Sequence, residues 1–402
     1  PAWYNPAMTT QNPVSPSDFA HIRASFPRAS RKLWLAAAET HPFSRQHLEA
    51  IETYTSFRSL GPGEGRLSFT PEMQAATKRR FANLINAAPH EIAFIQSTTD
   101  GENIVLAGLD LAQRGGNVVI DDLHFEASKY IYTRLAEAGK IELRVVPHRN
   151  WQVDLADFAQ AIDANTRLVS IALVSQINGF KADAKAISDL AHQYGAYLYC
   201  DIIQGAGCTP IDVVAMGIDF CASSTYKWLM GDFGIGFLYV KELLQDEVVK
   251  QTRYGLRQVK AMQDYRFESY PDASRYEGTT TMPFLPGVCA HTGLGLIESI
   301  GMEAIRAHAK RLTDRLQAEL PLLGYELITP ADTPTPIVSF LPPNVAETRA
   351  KLDRAFGEQV ISFREWYKTG ADGTRTKVEG IRLGVSVYNN EADIDAFLNA
   401  LA

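Results

Sequence analysis

The chain has 402 residues, of which 46% are hydrophobic, 21% charged and 10% aromatic, a composition that fits an ordinary globular protein and excludes fibrous, low-complexity and repeat-built chains. Lys and Arg total 39 against 46 for Asp and Glu, and the formal charge of -7 includes no basic block, which argues against nucleic acid as a partner. Cysteines at 200, 208, 221 and 289 form no Cys-x-x-Cys pair and have no histidine at zinc-finger spacing, so neither a disulfide framework nor a metal site is expected and a reducing cytoplasm fits.

The longest apolar runs, 168–174 and 234–240, fall short of the roughly 18 residues that cross a bilayer, so no membrane association is expected. The opening residues PAWYNPAMTTQ lack a basic start followed by an apolar stretch and do not read as a secretion signal; a natural start at Met8, after a short leader, is the expectation. From about residue 75 to residue 240, short β-branched or aromatic runs alternate with amphipathic stretches, the pattern of repeated strand–helix units and a mostly parallel sheet. Seven strands are predicted, at 91–96, 117–121, 142–147, 167–174, 196–201, 219–223 and 235–240. Helices are predicted at 101–113, 125–138, 154–163, 183–194 and 210–216, and the last two strands, joined by 224–234, are free to pair differently.

Residues 245–283 lose this rhythm and read as a long irregular excursion. A smaller α+β domain follows, with helices at 286–300 and 303–319, a strand at 336–340, a helix at 346–355, strands at 360–363 and 381–387, and a closing helix at 391–401. The predicted organisation is an N-terminal arm (1–32), a large α/β domain with a seven-stranded, mostly parallel sheet flanked by helices (33–285), and a small C-terminal α+β domain (286–402).

In open α/β sheets ligands bind outside the carboxyl ends of the strands, and reactive side chains cluster there. After the first strand, residues 97–103 place hydroxyls and small residues before a helix; they suit either a phosphate or an ordinary N-cap. The strand 196–201 ends in Asp201, with Gln204 three residues on, and a carboxylate there requires a cationic partner. The strand 219–223 runs into Ser224-Thr225-Tyr226-Lys227-Trp228, where Lys227 is either a nucleophile and base or a snorkelling lysine. Together these are the phosphate anchor, pyridinium partner and Schiff-base amine that pyridoxal phosphate requires.

At these residues the chain resembles the class V aminotransferase family of pyridoxal-phosphate enzymes, which includes cysteine desulfurases, kynureninases and isopenicillin N epimerases. The resemblance runs from about residue 33 to the C-terminus and is carried by Asp201-x-x-Gln204, 224–228, Tyr276-Glu277-Gly278-Thr279, Ile381-Arg382 and 388–395. It implies an aspartate aminotransferase-like fold, Lys227 as the Schiff-base lysine and Asp201 as the partner of the ring nitrogen. It further implies Thr98, Thr99, Ser224 and Tyr226 on the phosphate, with Tyr226 in a place often taken by His, as in kynureninases. Gln204 and Gln176 lie near the ring oxygen, Gln176 where many relatives have Asn. Phe125, with His124 as its neighbour, is the residue stacked on the ring.

Thr279 is implied to reach the phosphate of the other subunit of a homodimer, and Arg382 to grip the substrate's α-carboxylate. His41 and Arg364 are further substrate-side candidates, and Tyr254, Trp366, Tyr367 and Phe43 are candidates for an aromatic pocket. The reaction expected is bond cleavage at Cα of an amino acid, leading to transamination or Cβ elimination, with an epimerase or a kynureninase-like hydrolase as alternatives. The desulfurase branch needs a cysteine nucleophile in the small domain, and no cysteine follows Cys289. A dinucleotide-dependent oxidoreductase lacks its Gly-x-Gly-x-x-Gly turn. A non-catalytic binding protein is disfavoured by the pairing of Asp201 with Lys227.

Overall fold

The computed structural model describes residues 16–357, 361–370 and 373–402; the expected start at Met8, the first part of the arm 1–32 and the first residue of the strand 360–363 lie outside them. Among the described residues, three α-helices precede the first strand: α1 (Pro16–Ala24), α2 (Arg45–Leu60) and α3 (Pro71–Leu84). The alternating part runs β1 (Ile92–Ile95), α4 (Thr98–Gly108), α5 (Leu111–Arg114), β2 (Asn117–Asp121), α6 (Glu126–Glu137), β3 (Glu142–Val146), α7 (Leu155–Ala161), β4 (Thr166–Ala172), α8 (Ala184–Gln193), β5 (Tyr197–Asp201), β6 (Phe220–Ser224) and β7 (Gly236–Val240).

These seven strands form one sheet in the order β1-β7-β6-β5-β4-β2-β3, parallel except for β7, which runs antiparallel to both β1 and β6. Both faces are covered, as the unbroken apolar runs of a parallel sheet demand. Along β5 to β7, Leu198, Cys200, Cys221, Phe237 and Tyr239 enter one core, whereas Tyr199, Phe220, Ala222, Leu238 and Val240 enter the other, the two-residue period of a strand.

The helix predicted at 210–216 is absent. Asp212 Oδ1 accepts from Ala215 N at 2.8 Å and caps a single turn, which Gly217 ends at φ +66; a Cβ at Gly217 would lie 2.4 Å from Ser188 Oγ. The single helix predicted at 101–113 divides into α4 and α5 at Asp110, whose φ is 56. The excursion 245–283 contains a small hairpin, β8 (Val259–Gln263) and β9 (Arg266–Ser269).

The C-terminal part contains α9 (Phe284–Ile300), α10 (Met302–Glu319), β10 (Glu326–Leu327), β11 (Ile337–Leu341), α11 (Val345–Phe356), β12 (Ser362–Thr369), β13 (Arg375–Gly384) and α12 (Glu391–Leu401). Its four strands form an antiparallel sheet in the order β10-β11-β13-β12, with its own core of Leu312, Leu316, Val338, Phe340, Ile381, Leu383 and Phe397. Helix α9 begins at the predicted 285/286 boundary, yet its Val288, Ala290, Leu294 and Ile297 belong to the core of the large sheet. The segment 35–41 joins the two sheets: Gly384 N at the end of β13 donates to Leu35 O (2.6 Å), and His41 N donates to Tyr226 O (3.0 Å) beyond β6.

Candidate active site

A cleft opens at the carboxyl ends of β1, β4, β5 and β6, lined among others by Thr98, Thr99, Phe125, Gln176, Asp201, Gln204, Ser224, Tyr226 and Lys227. The phosphate-side residues are locked together. Ser224 N donates to Thr98 Oγ1 (3.0 Å), Thr98 N donates to Ser224 Oγ (3.0 Å), and the two hydroxyls are 3.2 Å apart. Ser97 caps α4 by accepting from Asp100 N (3.1 Å), so the positive end of that helix faces the cleft beside Thr98 and Thr99. Tyr226 stacks on Phe233 at 4.3 Å, which fixes its ring at the rim.

Asp201 ends β5 with 4% of its surface exposed, and its Oδ1 accepts from Ile203 N (3.0 Å), while Oδ2 accepts no hydrogen bond from the described residues. Burial pushes its carboxyl up to about 6, with the Ile203 N–H and the Lys227 charge pulling the other way. Lys227 is 7% exposed, and no hydrogen bond from the described residues holds its ammonium, which stands 5.7 Å from the centre of the Tyr226 ring. Burial and the Arg382 charge push it down to about 8. The turn carrying it is held by Thr225 Oγ1 on Asp232 O (2.7 Å), and Gly207 passes so close beneath that a Cβ would lie 2.4 Å from Trp228 O. Gln204 is fixed by its own amide, which donates to Ala38 O (3.0 Å) and accepts from Trp228 Nε1 (2.8 Å).

Phe125 lies on the cleft, whereas its neighbour His124 points inward: Nδ1 accepts from Phe125 N (2.8 Å), so Nε2 carries the proton towards Ser170 Oγ (3.0 Å). Arg382 is 3% exposed, donates from Nη1 to Gln176 O (2.8 Å) and leaves Nε without a partner. Arg364 pairs with Glu39. His41 is placed elsewhere. It is buried against Phe26 and Tyr388, and both its nitrogens are engaged, Nδ1 on Pro42 O (3.0 Å) and Nε2 with Ser386 Oγ (2.9 Å), so its imidazole is spent within the protein. Thr279 stands outside its own chain's cleft, with its carbonyl accepting from Arg257 N (3.1 Å). Among the aromatic candidates, Tyr254 and Tyr367 are exposed and Trp366 packs with Leu123 and Trp151, away from the cleft lining.

Three carboxylates near the site escape sequence reasoning. Glu102, on α4, lies beneath the floor and accepts from Ser128 Oγ (2.7 Å), Tyr132 OH (2.8 Å) and Ser170 Oγ (3.1 Å); burial pushes it up to about 7. An acid just ahead of the apolar run Ile104-Val105-Leu106 was the available signal. Glu126 bonds the Gln176 amide, and Glu39 meets Arg364 and Ser362. Neither carries a local sequence signal.

The profile of the family described as Aminotransferase class-V matches residues 46–397. The chain belongs to the class V aminotransferase family. A probable cysteine desulfurase of Methanothermobacter thermautotrophicus is 30% identical over 307 residues, covering 74% of each chain, and a cysteine desulfurase of Haloferax volcanii is 27% identical over 427 residues, covering 96% of each. Among solved structures, the cystine C–S lyase C-DES in complex with its product cysteine persulfide superposes with a TM-score of 0.80 at 22% identity, over 94% of this chain and 98% of that one. A C-DES variant with glycine covalently linked to its pyridoxal-phosphate cofactor gives a TM-score of 0.81 at 21% identity, with the same coverage.

As a class V protein the chain is a pyridoxal-phosphate enzyme. Its cleft fits that cofactor on its own terms. The amine of the largely buried Lys227 and a carboxylate oxygen of the largely buried Asp201, neither hydrogen-bonded by the described residues, face one cleft with a hydroxyl-lined helix N-terminus and a phenyl ring. Desolvated charges left in this way are costly, and a group with an aldehyde, a ring nitrogen and a phosphate satisfies all of them.

Proposed function

We propose that this enzyme is a Cβ lyase that releases a sulfur-type leaving group from an amino acid without a cysteine relay on the protein. The observation that carries this reading is the state of the four cysteines. All four are buried with thiols pushed up by burial, and the sequence contains none after Cys289, so no exposed thiolate stands in the small domain to take sulfur from a substrate. The desulfurase relatives and the C–S lyase C-DES support chemistry at a Cβ–sulfur bond; the absent cysteine favours elimination over transfer.

Bound in the cleft, pyridoxal phosphate supplies the electron sink for cleavage at Cα. The chain's residues do the rest. Asp201 keeps the ring nitrogen protonated by charge, and Thr98, Thr99, Ser224 and Tyr226 hold the phosphate. Phe125 covers one ring face, and Gln204 and Gln176 stand beside it. Arg382 offers its Nε and Nη2 edge to the α-carboxylate, and the resulting bidentate pair orients the Cα–H bond. Lys227, with its amine pushed down to about 8, has a neutral fraction large enough near neutral pH to take the proton from Cα. The Cα proton would pass to Lys227 and the Cβ substituent would depart with its bonding pair; with water added, the net products are a keto acid and ammonia.

The same reading includes a homodimer in which Thr279 serves the partner's phosphate. The exposed aromatic groups Tyr254, Tyr265 and Phe267 on and around the β8–β9 hairpin, with Phe233 exposed at the cleft rim, support a covered face. Free buried cysteines support a reducing, cytoplasmic location, and no described helix is long and apolar enough to cross a membrane.

The test is product analysis with a panel of cysteine, cystine and other β-substituted amino acids. The proposal expects keto acid and ammonia in equal amounts and no persulfide on the protein. A protein-bound persulfide, or stoichiometric build-up of the pyridoxamine form, would overturn it.

A further inference from the structure

Beside the cleft, behind Gln176 and Gln204, an acid stands between two cations. Glu39 Oε1 is the acceptor for both Arg364 Nη2 and Ser362 Oγ, and Arg364 Nε donates to Ser362 Oγ (3.0 Å), so the pair forms one closed unit at the start of β12. Arg382 lies alongside on β13, where it is the register partner of Ser362, and its Nη2 is 3.6 Å from the same Glu39 oxygen. That spacing is too long for a hydrogen bond. Glu39 therefore holds Arg382 only by a looser ion pair, and no hydrogen bond from the described residues occupies the Nε and Nη2 edge suited to a carboxylate, whereas Arg364 is hydrogen-bonded to its anion.

The backbone keeps Glu39 in place. Its N–H donates to Ala36 O (2.9 Å), the preceding carbonyl of Ala38 accepts from Gln204 (3.0 Å), and two residues on His41 N is tied to Tyr226 O (3.0 Å). Glu39 is thus positioned by the residues that line the cofactor cleft. Glu126, bonded to the Gln176 amide, is a second acid nearby, and its charge opposes the burial and the Arg364 charge that push Arg382 down to about 9.

We propose that Glu39 is a specificity-determining residue: by occupying the Arg364 guanidinium it leaves Arg382 as the single cation for a substrate carboxylate and selects amino acids whose side chains carry no carboxylate. A substrate with a second carboxylate would meet the Glu39 charge where it needs a free guanidinium, and like charges at contact range oppose binding. With Glu39 neutral, Arg364 gains an open fork and the discrimination reverses. The inference rests on the reading that Arg382 takes the α-carboxylate.

The experiment is calorimetric titration of the holoenzyme with two unreactive probes, propionate and succinate, in the wild type, Glu39→Gln, Glu39→Gln/Arg364→Ala and Arg382→Ala. The visible absorption of bound cofactor confirms that each variant is folded and loaded. The expected result is that wild type binds succinate no more tightly than propionate, and that Glu39→Gln raises the succinate preference by about tenfold or more. Adding Arg364→Ala is expected to remove that gain, and Arg382→Ala to abolish propionate binding. If Arg382→Ala abolishes propionate binding but Glu39→Gln leaves the succinate-to-propionate ratio unchanged, the inference is overturned and the role of Arg382 stands. If propionate binding survives Arg382→Ala, both are overturned.

Discussion

Replacing Glu102 by Gln should make the stability of this protein less sensitive to pH. The carboxyl is enclosed between α4 and α6 and accepts from three hydroxyls, of Ser128, Tyr132 and Ser170. Burial lifts it from 4.5 to about 7, the Asp201 charge adds to the rise, and the hydroxyls oppose it. In the unfolded chain the group returns to its ordinary value. A folded-state value raised above the unfolded one contributes stability that is present in full below about 4.5 and lost as pH rises through about 7. That span corresponds to about 3 kcal/mol. Gln does not titrate, so the unfolding free energy of Glu102→Gln minus that of wild type should rise by about this amount between pH 4.5 and pH 8. Changed hydrogen bonding with the three hydroxyls adds only an offset that does not vary with pH. Denaturant titrations of both proteins at matched pH, with cofactor at one saturating concentration, read the difference; Asp121 and the buried histidines titrate alike in both and cancel. Two stability curves that stay parallel across this range would refute the reasoning and show that Glu102 has the same affinity for protons folded and unfolded.

Other substitutions test the cleft itself. Lys227→Ala should abolish both turnover and the visible absorption of the cofactor complex, since among the described residues no other amine lines the cleft; spectroscopy of the purified variant reads this directly. Asp201→Ala should weaken cofactor retention by about tenfold or more, because a charge-assisted partner of the ring nitrogen is lost, and equilibrium dialysis measures it. Phe125→Ala should raise the cofactor dissociation constant by about tenfold through loss of stacking, whereas His124→Ala, whose ring turns away from the cleft, should act mainly on stability in thermal denaturation. Light scattering of a fully active monomer would contradict the shared-site dimer that Thr279 motivates.

All seven strands of the large sheet are legible in the sequence because each is a short run bounded by turn residues, and all but the half-exposed edge strand β3 are apolar and buried along nearly their whole length. The cleft is legible for a related reason: the carboxyl ends of such strands are where side chains converge, so Asp201, Ser224 and Lys227 stand out against apolar neighbours. Helices α2 and α3 escape notice because their sequences, RQHLEAIETYTSFRSL and PEMQAATKRRFANL, carry few large apolar residues, and their burial comes from packing against α9, some two hundred residues away. The turn at 210–216 misleads because a capping Asp and an amphipathic tetrad look alike whether the helix continues or stops. His41 shows the limit of reading chemistry from residue type, since a histidine attracts a functional role and the fold spends both its nitrogens on Pro42 and Ser386. The Glu39–Arg364 pair joins residues 325 positions apart, and nothing in an alanine-rich segment announces it.

The central claim is that pyridoxal phosphate is carried by Lys227 opposite Asp201. Borohydride reduction of the holoenzyme followed by proteolysis and mass spectrometric peptide mapping tests it most directly. The account predicts loss of the visible band and a single pyridoxyl label on the peptide containing Lys227, absent in Lys227→Ala. A label confined to another lysine, or a visible band that reduction leaves unchanged, would contradict it.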